Sequence, residues 1–245
     1  MSVASDPYWL GVQLEAGPKH GPTVSGVLMG AVIGMIGLAV FDVLVARFTK
    51  ARWFAVHAIA NAWVVLHATG DMLRVLADPF QAGLGTYSLL PLEMIISVHV
   101  YHMVAFNNLR SEDYVHHLLF AGLMGGFAIY DTFGPVTNFL SFFVSGLPGG
   151  LDYAMLVAVK HGWLDSITEK VWATRLNVWL RSPGLQIAAL LLYAIAIDPI
   201  SRSHHQHSIT RYICFLTSAL TFLNGTFYMQ QVTVITARKD ESFSC

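Results

Sequence analysis

The sequence predicts an all-α protein: a polytopic bundle of about seven transmembrane helices around a central cavity, with the N-terminus outside or lumenal and the C-terminus cytoplasmic. Three observations carry that expectation. Of 245 residues 55% are hydrophobic and only 12% charged, roughly half the charged share of an ordinary soluble domain. Long apolar runs recur, punctuated by Gly, Pro and short charged clusters. Each run is near the ~20 residues a helix needs to cross ~30 Å of hydrocarbon.

Taken in order, the spans fall at 24–47, 53–76, 87–108, 114–131, 136–160, 185–200 and 211–236. Residues 1–23 form an outer segment, 24–236 the membrane domain and 237–245 a cytoplasmic tail, which leaves no room for a separate soluble domain. Asp6 and Glu15 precede the first run where a cleavable signal would carry positive charge, so the first span is expected to be retained. The fifth contains Gly146-Leu147-Pro148-Gly149-Gly150, which should break a helix. Such a break survives at membrane depth only where protein or a water-filled cavity covers the freed backbone. Between the fifth and sixth, Trp172, Leu176 and Trp179 among Glu169, Lys170 and Arg175 suit a helix lying on the interface, followed by a turn at Arg181-Ser182-Pro183-Gly184. Trp53, Trp163, Trp172 and Trp179 read as interfacial anchors.

Orientation follows from charge. One set of alternate loops holds Arg47, Lys50, Arg52, Arg110, Lys160, Lys170, Arg175, Arg181, Arg238 and Lys239; the other holds Lys19, Arg74, Arg202 and Arg211. By the positive-inside rule the richer set is cytoplasmic. A net charge of −1 offers no basic excess for nucleic acid. Cys214 and Cys245 make neither a disulfide framework nor a zinc motif.

Ionisable side chains inside spans are costly and mark functional sites. His57, Asn61, His67 and Asp71 of the second span share a stripe about 120° wide. His99 and His102 share a face of the third. The fourth opens with Asp113-Tyr114-Val115-His116-His117 and closes with Tyr130-Asp131. Because successive spans alternate in direction, His57, His102, His116 and His117 fall within roughly 10 Å of the cytoplasmic helix ends, with His99 slightly deeper. These five histidines are expected to share one cavity. His67 and Asp71 lie further out, on its floor or on a separate polar seam.

A neutral imidazole can serve as general base, as nucleophile toward an acyl carbon, or as metal or haem ligand. Acyl transfer needs the fewest neighbours: one His deprotonates the attacking group or accepts the acyl group, and a second His or an acid such as Asp152 orients it. A cytoplasmic mouth suits an acyl-CoA co-substrate, whose headgroup is too polar to cross the bilayer. A di-iron lipid oxidase is disfavoured, since the remaining cluster, His204-His205-Gln206-His207, falls in a loop on the opposite side. Bis-His haem ligation is open to His57 with His102 or His67 with His99. The last span has no lysine for a retinal Schiff base.

Several stretches together resemble the TRAM-LAG1-CLN8 (TLC) membrane domain over roughly residues 25–236: Arg52-Trp53-Phe54-x-x-His57-x-x-x-Asn61, Asp71, His99-x-x-His102, and Asp113-x-x-His116-His117 heading a span. That resemblance implies a helical bundle around a cavity and an endomembrane location, with the endoplasmic reticulum first. It also implies either N-acylation from acyl-CoA, as in ceramide synthases, or lipid sensing. It makes His116 and His117 the catalytic pair and aligns Asp152 with Lys160 to a later acidic element. The cavity set is then His57, Asn61, Asp71, His99, His102, Asp113 and Asp131, with no resident cofactor or metal. The synthase-type His-Asp-x-Ser-Asp is replaced by Gly146 to Tyr153, with one Asp, which keeps open a non-enzymatic regulator of membrane composition. Expected partners are membrane lipids, further copies of the chain or subunits of a larger membrane complex.

Overall fold

A computed structural model of the chain describes residues 23–106, 114, 117–130, 133–198 and 209–243, with the side chains of 120, 121 and 235–243 excepted. Among the described residues the secondary structure is helical, with no strand. Seven helical segments follow in order: α1 Val24–Val45, α2 Arg52–Ala77, α3 Leu90–Ala105, α4 His117–Tyr130, α5 Val136–Lys160, α6 Ser166–Ile197 and α7 Thr210–Phe243. Three of them, α1, α5 and α6, are long and apolar enough to cross a membrane. Helix α2 has 26 residues, but His57, Asn61, His67, Asp71 and Arg74 make it more polar. Helices α3 and α4 are apolar and shorter.

Helix α2 is the hub, packing against α1, α3 and α5, while α7 lies along α6. The main core joins Val27, Ala68, Val75, Phe133, Val136, Phe139, Leu192 and Cys214 from five helices and the turn before α5. A bidentate ion pair ties the first three helices together: buried Asp42 on α1 accepts from Arg52 Nε at 2.8 Å and Nη2 at 2.5 Å, and from Tyr101 Oη on α3 at 2.8 Å.

Helices α1 and α3 approach closely because Gly30 and Gly34, four residues apart, face Glu93 and Ser97 of α3, the small-residue spacing that lets membrane helices meet closely. A Cβ on Gly34 would run into Ser97, whose hydroxyl lies 2.9 Å from the Ala31 carbonyl across the helix pair. Gly37 has open space at the same point. Gly34→Leu is therefore expected to lower stability by about 1–3 kcal/mol through overpacking, and Gly37→Leu to leave it unchanged or raised. Thermal unfolding of the two variants in detergent checks this.

Two expected interruptions are absent. The Gly-Pro sequence at 146–150 does not break α5, which runs unbroken through it. Likewise, the helix after Asp165 is not separated from the sixth span, and 181–184 is not a turn: 166–197 is one continuous helix, α6. The physical reason is the same in each. A five-residue π turn, Phe142–Gly146 in α5 and Asn177–Arg181 in α6, immediately precedes the proline-bearing segment. The residue before each proline bonds five back, Leu147 N to Phe142 O and Ser182 N to Asn177 O. The widened turn accommodates Pro148 and Pro183, which would otherwise clash with the carbonyl four back and disrupt the helix.

A true turn enters α5 at Gly134, where φ is +70° and a Cβ would strike the backbone of Gly83 at 2.6 Å. Only glycine satisfies both demands. The close approach lets Val136 N donate to Ala82 O at 2.9 Å, tying the start of α5 to the α2–α3 loop.

Candidate functional site

A cavity of about 370 Å³ runs between α2, α3 and α4 on one wall and α5, α6 and α7 on the other. Its lining on α7 extends from Thr217 to Val232, about 22 Å of helix rise. His57, Asn61, His99, His102, His117 and Asp152 all line it. His116, Asp113 and Asp131 lie outside the described residues, as do His204, His205 and His207.

The helix geometry of α2 and α3 fixes the imidazole tautomers. His57 Nδ1 lies 2.9 Å from the Trp53 carbonyl one turn back. A carbonyl only accepts, so this nitrogen carries the proton, and in the neutral ring Nε2 is a lone pair. That lone pair accepts from His102 Nδ1 at 2.9 Å. His102 must then present its own lone pair at Nε2, which is buried with no hydrogen-bond partner among the described residues. His99 repeats the device: Nδ1 donates to Ile95 O at 2.6 Å, turning its Nε2 outward. The His117 ring stands almost perpendicular to both, its centroid 4.7 Å from His99 and 4.8 Å from His102.

His57 and His102 are hydrogen-bonded directly to each other in this arrangement, with both nitrogens of His57 engaged. Trp53, expected as an interfacial anchor, packs on two of the histidines. Its ring meets the edge of His102 at 3.6 Å between centroids and stacks on His57 at 5.7 Å, so it walls in the pair. Trp163, Trp172 and Trp179 are exposed.

Asp71 does not belong to the cavity. Although its helical angle matches the α2 stripe, it lies toward the opposite end of α2 from His57. There it is ion-paired with Arg74 and accepts from Ser88 N at 3.1 Å and Asn138 Nδ2 at 2.5 Å. Asn61 does belong: its Oδ1 accepts from Ser145 Oγ of the α5 π turn at 2.7 Å.

Sequence reasoning missed the far wall. Arg181, counted as a loop cation, is part of α6 and lines the cavity, with its guanidinium 4.7 Å above the Tyr228 ring. Asn177, one turn earlier, anchors its Nδ2 on Ala173 O at 2.9 Å and leaves Oδ1 without a partner among the described residues. On α7, Thr217, Thr221, Asn224 and Tyr228 line the cavity. Their spacing of four, three and four was legible, since at 100° per residue it confines all four to an arc of about 60°.

Comparison with known protein families, curated proteins and solved structures finds no match to this chain. Among the described residues no group of three or more His, Cys, Asp or Glu is arranged to hold a metal ion.

Proposed function

We propose that the chain is a seven-span integral membrane protein of the TLC type, N-terminus outside or lumenal, that holds a lipid in this cavity and transfers an acyl group from acyl-CoA to it. The observation that carries this reading is the convergence of His57, His99, His102 and His117 with Asp152 on one buried cavity. The helix order α1 to α7 supports seven spans, the excess of Lys and Arg on one set of loops supports the orientation, and the TLC resemblance supports an endomembrane such as the endoplasmic reticulum.

The chemistry follows from the tautomers. His102 Nε2 takes the proton of the attacking hydroxyl or amine as that atom bonds to the thioester carbon. The positive charge gained by His102 is then shared across its 2.9 Å bond to His57, whose Nδ1–H already rests on the Trp53 carbonyl. When the tetrahedral adduct collapses, the C–S bond breaks, and the proton returns from His102 to the departing thiolate. Asp152, on the opposite wall, orients the attacking group.

Labelled acyl-CoA supplied to the purified protein in lipid nanodiscs tests the reading. The wild type is expected to form an acylated lipid detectable by mass spectrometry, and His102→Ala, which removes the base, at least tenfold less. Tight retention of lipid without any product would favour the second reading, a lipid-holding regulator, for which the single Asp of α5 in place of the synthase-type element speaks.

A further inference from the structure

The far wall carries information about what the cavity holds. Thr217 and Thr221 are each 1% exposed and Asn224 is 3% exposed. Thr217 Oγ1, Thr221 Oγ1 and Asn224 Oδ1 are buried without a hydrogen-bond partner among the described residues, and all three residues line the cavity. Buried threonines in helices normally return the hydroxyl to the carbonyl four residues back. Half-buried and exposed threonines of this chain do: Thr69 to Val65 O at 2.6 Å, Thr226 to Phe222 O at 3.0 Å and Thr233 to Met229 O at 2.8 Å. Thr217 and Thr221 forgo that bond.

A polar atom buried without a partner is costly, and several in a row on one helix face call for a complementary occupant. A plain hydrocarbon chain cannot supply one. The three side chains span seven residues, about 10 Å of rise, so the matching polar groups are spread along the occupant's body and not gathered in its headgroup. Thr137 of α5, 5% exposed and also without a partner among the described residues, adds a fourth such hydroxyl to the lining. Toward the other end of the α7 lining, at the level of Tyr228, Arg181 offers a cation to an acidic or carbonyl group, with Asp152 in the same lining.

We propose that Thr217, Thr221 and Asn224 on α7 form a recognition face for oxygenated lipids, those with hydroxyl groups along the chain or ring body. The proposal rests on the cavity's being a lipid site and adds which lipid it selects. It places the protein after a reaction that hydroxylates an apolar chain.

Binding of two matched probes, oleate and ricinoleate, which differ by one mid-chain hydroxyl, provides the test on the full chain in nanodiscs. The wild type is expected to bind ricinoleate roughly threefold to tenfold more tightly, the value of one hydrogen bond. In Thr217→Val/Thr221→Val the ratio is expected to fall to about one, with oleate binding and the circular dichroism spectrum retained as evidence of folding. Thr233→Val, which removes an exposed back-bonded hydroxyl, is expected to leave the ratio unchanged. Equal affinity in the wild type, or a preference that survives the double substitution, overturns the recognition face while leaving the lipid site standing. Failure of the wild type to bind either probe overturns both.

Discussion

His102→Ala is expected to lower kcat for acyl transfer by about 10²–10⁴-fold, the range assigned to a positioned general base, with KM little changed because the side chain acts on the proton and not on the bulk of the lipid. His57 is a positioning residue in this scheme, and its variants separate a relay from simple packing. In His57→Leu, His102 Nδ1–H loses its acceptor, the ring is free to adopt the tautomer with the proton on Nε2, and the base is lost. The expected fall approaches that of His102→Ala. In His57→Gln the amide oxygen restores an acceptor for His102 Nδ1–H, and kcat is expected to recover to within about tenfold of wild type, since proximity and hydrogen bonding are regained while charge sharing is not. A purely structural role predicts the opposite order of concern: both variants would change unfolding temperature and neither would discriminate in kcat. Steady-state kinetics on the three variants, with unfolding measured alongside, decides between them.

How much of this was legible in the sequence differs from residue to residue. The stripe of His57 and Asn61, and the pair His99 and His102, were readable because helical periodicity turns spacing directly into a shared face. Their convergence was readable because alternating spans fix depth. Asp71 was misassigned for the same reason: periodicity gives the angle around α2 but not which helices stand opposite at each level. At its level Arg74, Ser88 and Asn138 claim the carboxylate. Pro148 and Pro183 were read as breaks because an α-helix cannot admit them, yet a π turn before each can, and its one-residue slip has no compositional mark. The use of Trp53 as a wall for two imidazoles depends on α3 lying beside it, which its place in the sequence does not show. The Thr217, Thr221, Asn224 face was present in the spacing and passed over because neutral residues in a span draw less notice than histidines.

Asp71→Ala is expected to be the most destabilising single change, by about 2–4 kcal/mol, because it strands buried hydrogen-bond donors without an acceptor. Asp71, 6% exposed, is the only carboxylate among the described residues bonded at once to α2, the α2–α3 loop and α5. Removing it leaves Ser88 N and one Nδ2 hydrogen of Asn138 without an acceptor, and Asn138 is wholly buried. Arg74 keeps its 2.7 Å bond to Thr86 O but loses its counter-ion. Asp71→Asn keeps an acceptor for the loop amide and is expected to cost clearly less. At a few degrees per kcal/mol for a chain of this size, Asp71→Ala should lower the unfolding midpoint in detergent by roughly ten degrees. The same variant separates the two polar systems of α2. Because Asp71 stands outside the cavity, the fraction that remains folded should show unchanged lipid binding and unchanged kcat, whereas a change in either at equal folded protein would return Asp71 to the cavity wall.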